Sequence, residues 1–143
     1  MIKNSDIFEY GDFAASYKTN GGTEMKLHGA CIQTHNATEL VNFYQKIFQQ
    51  EPDVDGGVDF RFYDAQLVIF KLTDENASST KNLALIYAVD DVDVEYQRVI
   101  DLDISVNSPP TDKPWGVRSF LVNDPDGNTI SFFAYLIEDH AKN

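Results

Sequence analysis

The chain has 143 residues, 43% of them hydrophobic and 13% aromatic, which is enough for one packed domain and too apolar for a disordered segment. Its net charge of -12 repels phosphate backbones and anionic lipid, so nucleic acid and membrane are poor partners. No apolar run approaches the ~20 residues of a membrane span, no signal peptide is visible, and the single cysteine excludes an internal disulfide, so a reducing, cytoplasmic location is expected.

Residues 1 to 24 contain Gly11, Gly21 and Gly22 with no sustained apolar period, and read as an N-terminal extension. One domain is expected over 25–143. Leu27–Thr34 is short, apolar and bounded by polar residues, as in a strand covered on both faces. Leu40, Val41, Tyr44, Ile47 and Phe48 then recur at helical spacing. Asn36 and Glu39 have the spacing of a capping box, and Pro52 lies just past the helix end. Val58–Tyr63 and Gln66–Leu72 read as two strands around a tight turn at Asp64-Ala65.

The second half repeats this plan. Leu83–Val89 reads as a buried-type strand, and Asp90 or Asp91 as the N-cap of a helix with Val92, Tyr96, Val99 and Ile100 on one face. Pro109, Pro110 and Pro114 are expected to interrupt regular structure. Val117–Val122 and Thr129–Tyr135 read as strands joined by the turn Asn123-Asp124-Pro125-Asp126-Gly127-Asn128. A shift of 56 residues lays Leu27–Thr34 over Leu83–Asp90 and Leu40, Phe43 and Tyr44 over Tyr96, Val99 and Ile100, apolar in both helices. Two strand–helix–strands modules, at about 25–75 and 82–137, give an α+β fold.

The run from Trp115 to Asn128 resembles the closing hairpin of the vicinal-oxygen-chelate superfamily, which includes glyoxalase I, bleomycin-resistance proteins, extradiol dioxygenases and fosfomycin-resistance enzymes. Ala88-Val89-Asp90-Asp91-Val92-Asp93 resembles its entry to the second helix, and Asn42–Phe48 its first helix. The resemblance implies two βαβββ modules forming a cup-shaped curved sheet, and a homodimer. It also implies a divalent ion held by one residue from each of four strands, where imidazole and carboxylate ligands leave positions open for adjacent substrate oxygens.

Carried onto this chain, those four positions fall on His28, on Phe70 or Lys71, on Ala84 and on Ser131. Phenylalanine and alanine offer no lone pair and an ammonium repels a cation, so no metal or other cofactor is expected. His28 is as readily a hydrogen-bonded core group as a pocket residue, and both readings stay open. Cys31, three residues along the same strand, would face away from it and reads as a structural thiol.

The family positions and strand alternation put His28, Ala30, Phe70, Ala84, Ile86, Ser131 and Phe133 toward the interior, with Phe60, Phe62 and Trp115 at the rim and Arg118 as a polar anchor. The ligand-binding set expected from this is His28, Phe62, Phe70, Ile86, Trp115, Arg118, Ser131 and Phe133. The function expected is a small-molecule-binding protein of the glyoxalase/bleomycin-resistance type. Two alternatives stand beside it: a metal-dependent lyase or dioxygenase with displaced ligands, and an interaction module with a filled pocket. Whether the chain catalyses anything stays open.

Overall fold

Apolar residues alternating along short strands, set against two amphipathic helices, build two separate four-stranded sheets. The structure, a computed structural model, describes residues 25–136, so the expected extension over 1–24 and His140 lie outside the described residues. The chain divides into two units between Ser79 and Thr80.

The first unit carries β1 (Ala30–Thr34), α1 (Ala37–Phe48), β2 (Val54–Asp55), β3 (Asp59–Phe62) and β4 (Leu67–Lys71). Its sheet has the order β1-β4-β3-β2, with β1 parallel to β4 and the other pairs antiparallel. Leu40, Val41, Tyr44 and Ile47 form the buried stripe of α1, as their spacing predicts. The expected capping box is absent. Asn36 occupies the N-cap without a side-chain cap hydrogen bond, and its own N–H donates to Thr34 Oγ1 at 2.9 Å. The helix stops at Gln49, whose left-handed φ of 57° turns the chain before Pro52 is reached. His35 fastens the segment that follows β4. Its Nε2 donates to the Ala77 carbonyl at 2.6 Å, and its N–H donates to Ser79 Oγ at 3.1 Å.

The second unit carries β5 (Ala84–Ala88), α2 (Val92–Asp101), β6 (Val106–Asp112), β7 (Val117–Asn123) and β8 (Thr129–Tyr135), with sheet order β5-β8-β7-β6. Here β5 is parallel to β8, so both units share one connectivity, as the internal repeat predicts. Asp91 caps α2, its carboxylate accepting from the N–H groups of Asp93 at 3.0 Å and Val94 at 3.1 Å. Asp91→Ala is expected to cost about 1 kcal/mol, read as a lower urea midpoint with an unchanged slope.

Two expectations for this unit are corrected. Pro109 and Pro110 lie inside β6 rather than ending it. This strand is an edge, and its register shifts between Val106 and Ser108 and again before Thr111, so the missing proline N–H groups leave no ladder bond unmade. The strand at Leu83–Val89 is not buried on both faces: Ala84, Ile86 and Ala88 are exposed.

Candidate functional site

Directly paired residues project from the same face of a sheet, so the register sorts every side chain. In the second unit, Leu85, Phe120, Val122, Ile130 and Phe132 pair among themselves and form the buried face, with Phe120 stacked on Phe132 at 5.0 Å and edge-on to Tyr96 of α2 at 5.4 Å. The opposite face carries two cross-strand rows. One runs Ile86, Ser131, Leu121, Ser108, and the other Ala88, Phe133, Ser119, Thr111.

Most of these residues line a cavity of about 470 Å³, together with Lys113, Trp115, Val117 and Phe120. Its wall is mainly apolar, with Ile86 and Trp115 standing 68% and 73% exposed at its edge. The polar groups are few: the hydroxyls of Ser108, Ser119 and Ser131 and the ammonium of Lys113. Among the described residues none hydrogen-bonds those three hydroxyls, and none forms an ion pair with Lys113. An apolar concavity with a few uncommitted polar groups has the composition of a ligand site, and its volume lies within the range such sites occupy.

Of the side chains expected to bind ligand, Ile86, Trp115, Ser131 and Phe133 line this cavity together. Arg118 does not. It lies between Val117 and Ser119, so alternation sends it to the helix-bearing face. There its guanidinium donates to Asp93 of α2 at 2.9 and 3.1 Å and to Asp112 at 3.0 Å. The hydrogen bond from Arg118 holds the Asp93 carboxyl below its ordinary range, and the two carboxylates hold Arg118 above its own.

Phe62 and Phe70 belong to the first unit. Phe62 is fully buried and meets Phe48 of α1 edge-on at 5.1 Å, so it is core rather than rim. Phe70 packs with Val68, Cys31, Val58 and Tyr63 on the other face of the same sheet. Ala30 pairs with Leu67 and so faces away from Phe70, contrary to the expected grouping, whereas Cys31 shares Phe70's side. Burial pushes the Cys31 thiol up to about 11, overriding the nearby Arg61, so it stays protonated at neutral pH and is a poor nucleophile. His28 is half-buried and lies before β1 begins, outside the strand in which the sequence pattern places it.

The cavity residues that pattern reading missed are Ser108, Lys113, Val117, Ser119, Phe120 and Leu121. Ser119 and Leu121 were within reach, since period-two alternation from Val117 selects them. Ser108 and Lys113 were hidden by the prolines, which masked β6 as a strand.

The four positions at which the family resemblance places metal ligands do not form a donor set. Phe70 is embedded in an apolar cluster and Ala84 presents a methyl group, which leaves one imidazole and one hydroxyl. Lys71, the other choice for the second position, is exposed and cationic. Among the described residues no three His, Cys, Asp or Glu side chains lie close enough to hold an ion. The described residues therefore do not fit a divalent metal, which needs three or more such ligands.

The sequence pattern of the family described as "Glyoxalase/Bleomycin resistance protein/Dioxygenase superfamily" matches residues 26–132. No curated protein matches the chain. Among solved structures, a conserved domain protein superposes with a TM-score of 0.69 at 24% identity, covering 78% of this chain and 99% of its own. A lactoylglutathione lyase from Agrobacterium tumefaciens gives 0.61 at 18% identity, with 78% and 95% covered. A glyoxalase/bleomycin resistance protein/dioxygenase from Nocardioides gives 0.64 at 18% identity, with 94% of each chain covered. At these identities the likeness shows a common fold.

Proposed function

The chain belongs to the glyoxalase/bleomycin resistance protein/dioxygenase superfamily, and on that footing we propose that it binds a small organic molecule without the help of a catalytic metal. One observation carries this reading. The face of the second sheet opposite α2 holds a cavity of about 470 Å³ whose apolar wall is interrupted, among the described residues, by three hydroxyls and one ammonium with no partner. Such groups orient a ligand, and the apolar wall supplies the drive to bury it. Among the described lining residues there is no acid–base pair and no activated nucleophile, so the arrangement favours holding a compound over transforming it. The reading includes a homodimer, the assembly that the family resemblance implies, and a reducing, cytoplasmic compartment suited to a lone Cys31.

The test begins with the purified protein's metal content and its melting temperature before and after a chelator. A metal-free protein indifferent to chelation and to added nickel, zinc, manganese or iron(II) is the expected result. Stoichiometric metal with a rise in stability on binding would instead favour a lyase or dioxygenase. A compound screen follows the same melting curve. For any compound that binds, Trp115→Ala is expected to weaken affinity by about ten- to thirtyfold, while stability moves by less than about 0.5 kcal/mol because the side chain is largely solvent-exposed.

A further inference from the structure

We propose that this cavity selects a monoanionic amphipath, an apolar aromatic or aliphatic body ending in a single carboxylate-type head, with Lys113 as the charge partner and Trp115 as the stacking wall. The inference rests on the binding reading above and adds the chemical class of the ligand.

Charge makes the first argument. Acidic residues outnumber basic ones by 23 to 11, yet among the described residues the cavity lining contains no acid and one lysine. The nearest basic neighbour in the sheet, Arg118, is held on the opposite face by Asp93 and Asp112. Asp112 precedes Lys113 in the chain, but strand alternation turns it toward Arg118, so it does not neutralise the lysine. Among the described residues the cavity is thus a locally cationic spot on an anionic protein, and a cationic ligand would meet an ammonium that no described acid in the lining offsets.

Geometry makes the second. Lys113-Pro114-Trp115-Gly116 is the turn joining β6 to β7, and three backbone hydrogen bonds fasten it. Lys113 N–H donates to the Val117 carbonyl at 2.7 Å, Gly116 N–H to the Lys113 carbonyl at 3.0 Å, and Leu136 N–H to the Gly116 carbonyl at 3.0 Å. Gly116 adopts a φ of 92°, which a residue with a side chain rarely takes, and the ring of Pro114 fixes its own φ. The turn therefore presents its cation and its indole together with little backbone freedom to lose on binding. Along the floor, the apolar side chains of Ile86, Leu121 and Phe133 alternate with serines, giving the ligand's body an apolar surface and its polar atoms hydroxyl partners. One lysine suits one negative charge. A phosphate dianion would want a second cation or a cluster of backbone N–H groups.

Trp115 is the only tryptophan, so its emission reports directly on this end of the cavity. The probes are phenylbutyrate, its uncharged amide and the corresponding amine, which share one apolar body and differ in the head. The carboxylate is expected to bind about tenfold more tightly than the amide, equivalent to about 1.4 kcal/mol, and the amine more weakly still. In Lys113→Met that preference should fall to about one, Lys113→Arg should retain it, and Lys81→Met, which removes the same charge from an exposed loop, should leave it intact. Circular dichroism confirms that each variant is folded. Equal binding of acid and amide, tighter binding of the amine, or loss of the preference in Lys81→Met would overturn the anion preference while leaving the binding site in place. If none of the three probes shifts Trp115 emission or the melting temperature, the binding reading itself fails with it.

Discussion

Phe62→Ala is expected to lower stability by about 3–5 kcal/mol, a large share of what a domain of this size possesses. The ring is 0% exposed. It meets Phe48 at 5.1 Å, and Phe48 in turn lies 5.5 Å from Tyr44, so three rings fill the space between α1 and the first sheet. Its cross-strand partner Leu67 is equally buried on the same face. Truncation to alanine removes the transfer energy of the ring and leaves a cavity that α1, fixed by four other buried side chains, cannot collapse to fill. Phe62→Leu, which refills part of the space, should recover about half the loss. Urea unfolding measures both. Affinity for any ligand of the second-unit cavity should be unchanged in whatever fraction remains folded. A drop in affinity with stability intact would return Phe62 to the rim that the sequence pattern assigns it.

The rim assignment shows where pattern reading loses its grip. Strand alternation distinguishes two faces but does not say which is which, and a slip of one residue exchanges them. Phe60 and Phe62 both alternate correctly, yet they pair with Ile69 and Leu67 and so lie on the helix-bearing face. Arg118 fails for the same reason: Val117 and Ser119 flank it, so a cavity that uses them excludes it. The fold itself was more legible because it rests on longer signals. Helical spacing in α1 and α2, apolar strands and a repeat at a fixed offset all survive an error of one residue. Lys113 was not legible as a site residue, because its role depends on a hairpin whose first strand contains two adjacent prolines.

The turn that carried the family resemblance has a structural explanation. Asp124 is buried, and its Oδ1 accepts from the N–H groups of Asp126 at 2.8 Å and Asn128 at 2.9 Å, while its carbonyl accepts from Gly127 N–H at 3.0 Å. Gly127 has a φ of 93°, where a Cβ would meet no neighbouring atom but the backbone itself would be strained. The aspartate, the glycine and the asparagine therefore specify one loop shape, which sets the register of β7 on β8 and with it the serine rows of the cavity floor.

Asn128→Ala tests this most sharply, with an expected loss of about 2–4 kcal/mol. The side chain is 0% exposed and uses both ends of its amide. Its Oδ1 accepts from Leu83 N–H at 2.9 Å, and its Nδ2 donates to the Thr80 carbonyl and to Asp124 Oδ2, each at 3.2 Å. Thr80 and Leu83 lead into β5, while Asn128 leads into β8, so one amide joins the entrance of the unit's first strand to that of its last. Alanine removes three hydrogen bonds at once and strips the buried Asp124 carboxylate of a donor, and that loss dominates because an under-satisfied buried acceptor costs more than a made bond returns. Hydrogen exchange separates this mechanism from simple loss of packing. Leu83 N–H should lose protection well beyond the global change, with the amides at the middle of β7 following only the global stability. A double-mutant cycle with Asp124→Ala should show coupling of about 1 kcal/mol or more. Additive losses would mean that the turn and the β5 entrance are held independently, and that Asn128 serves only one of them.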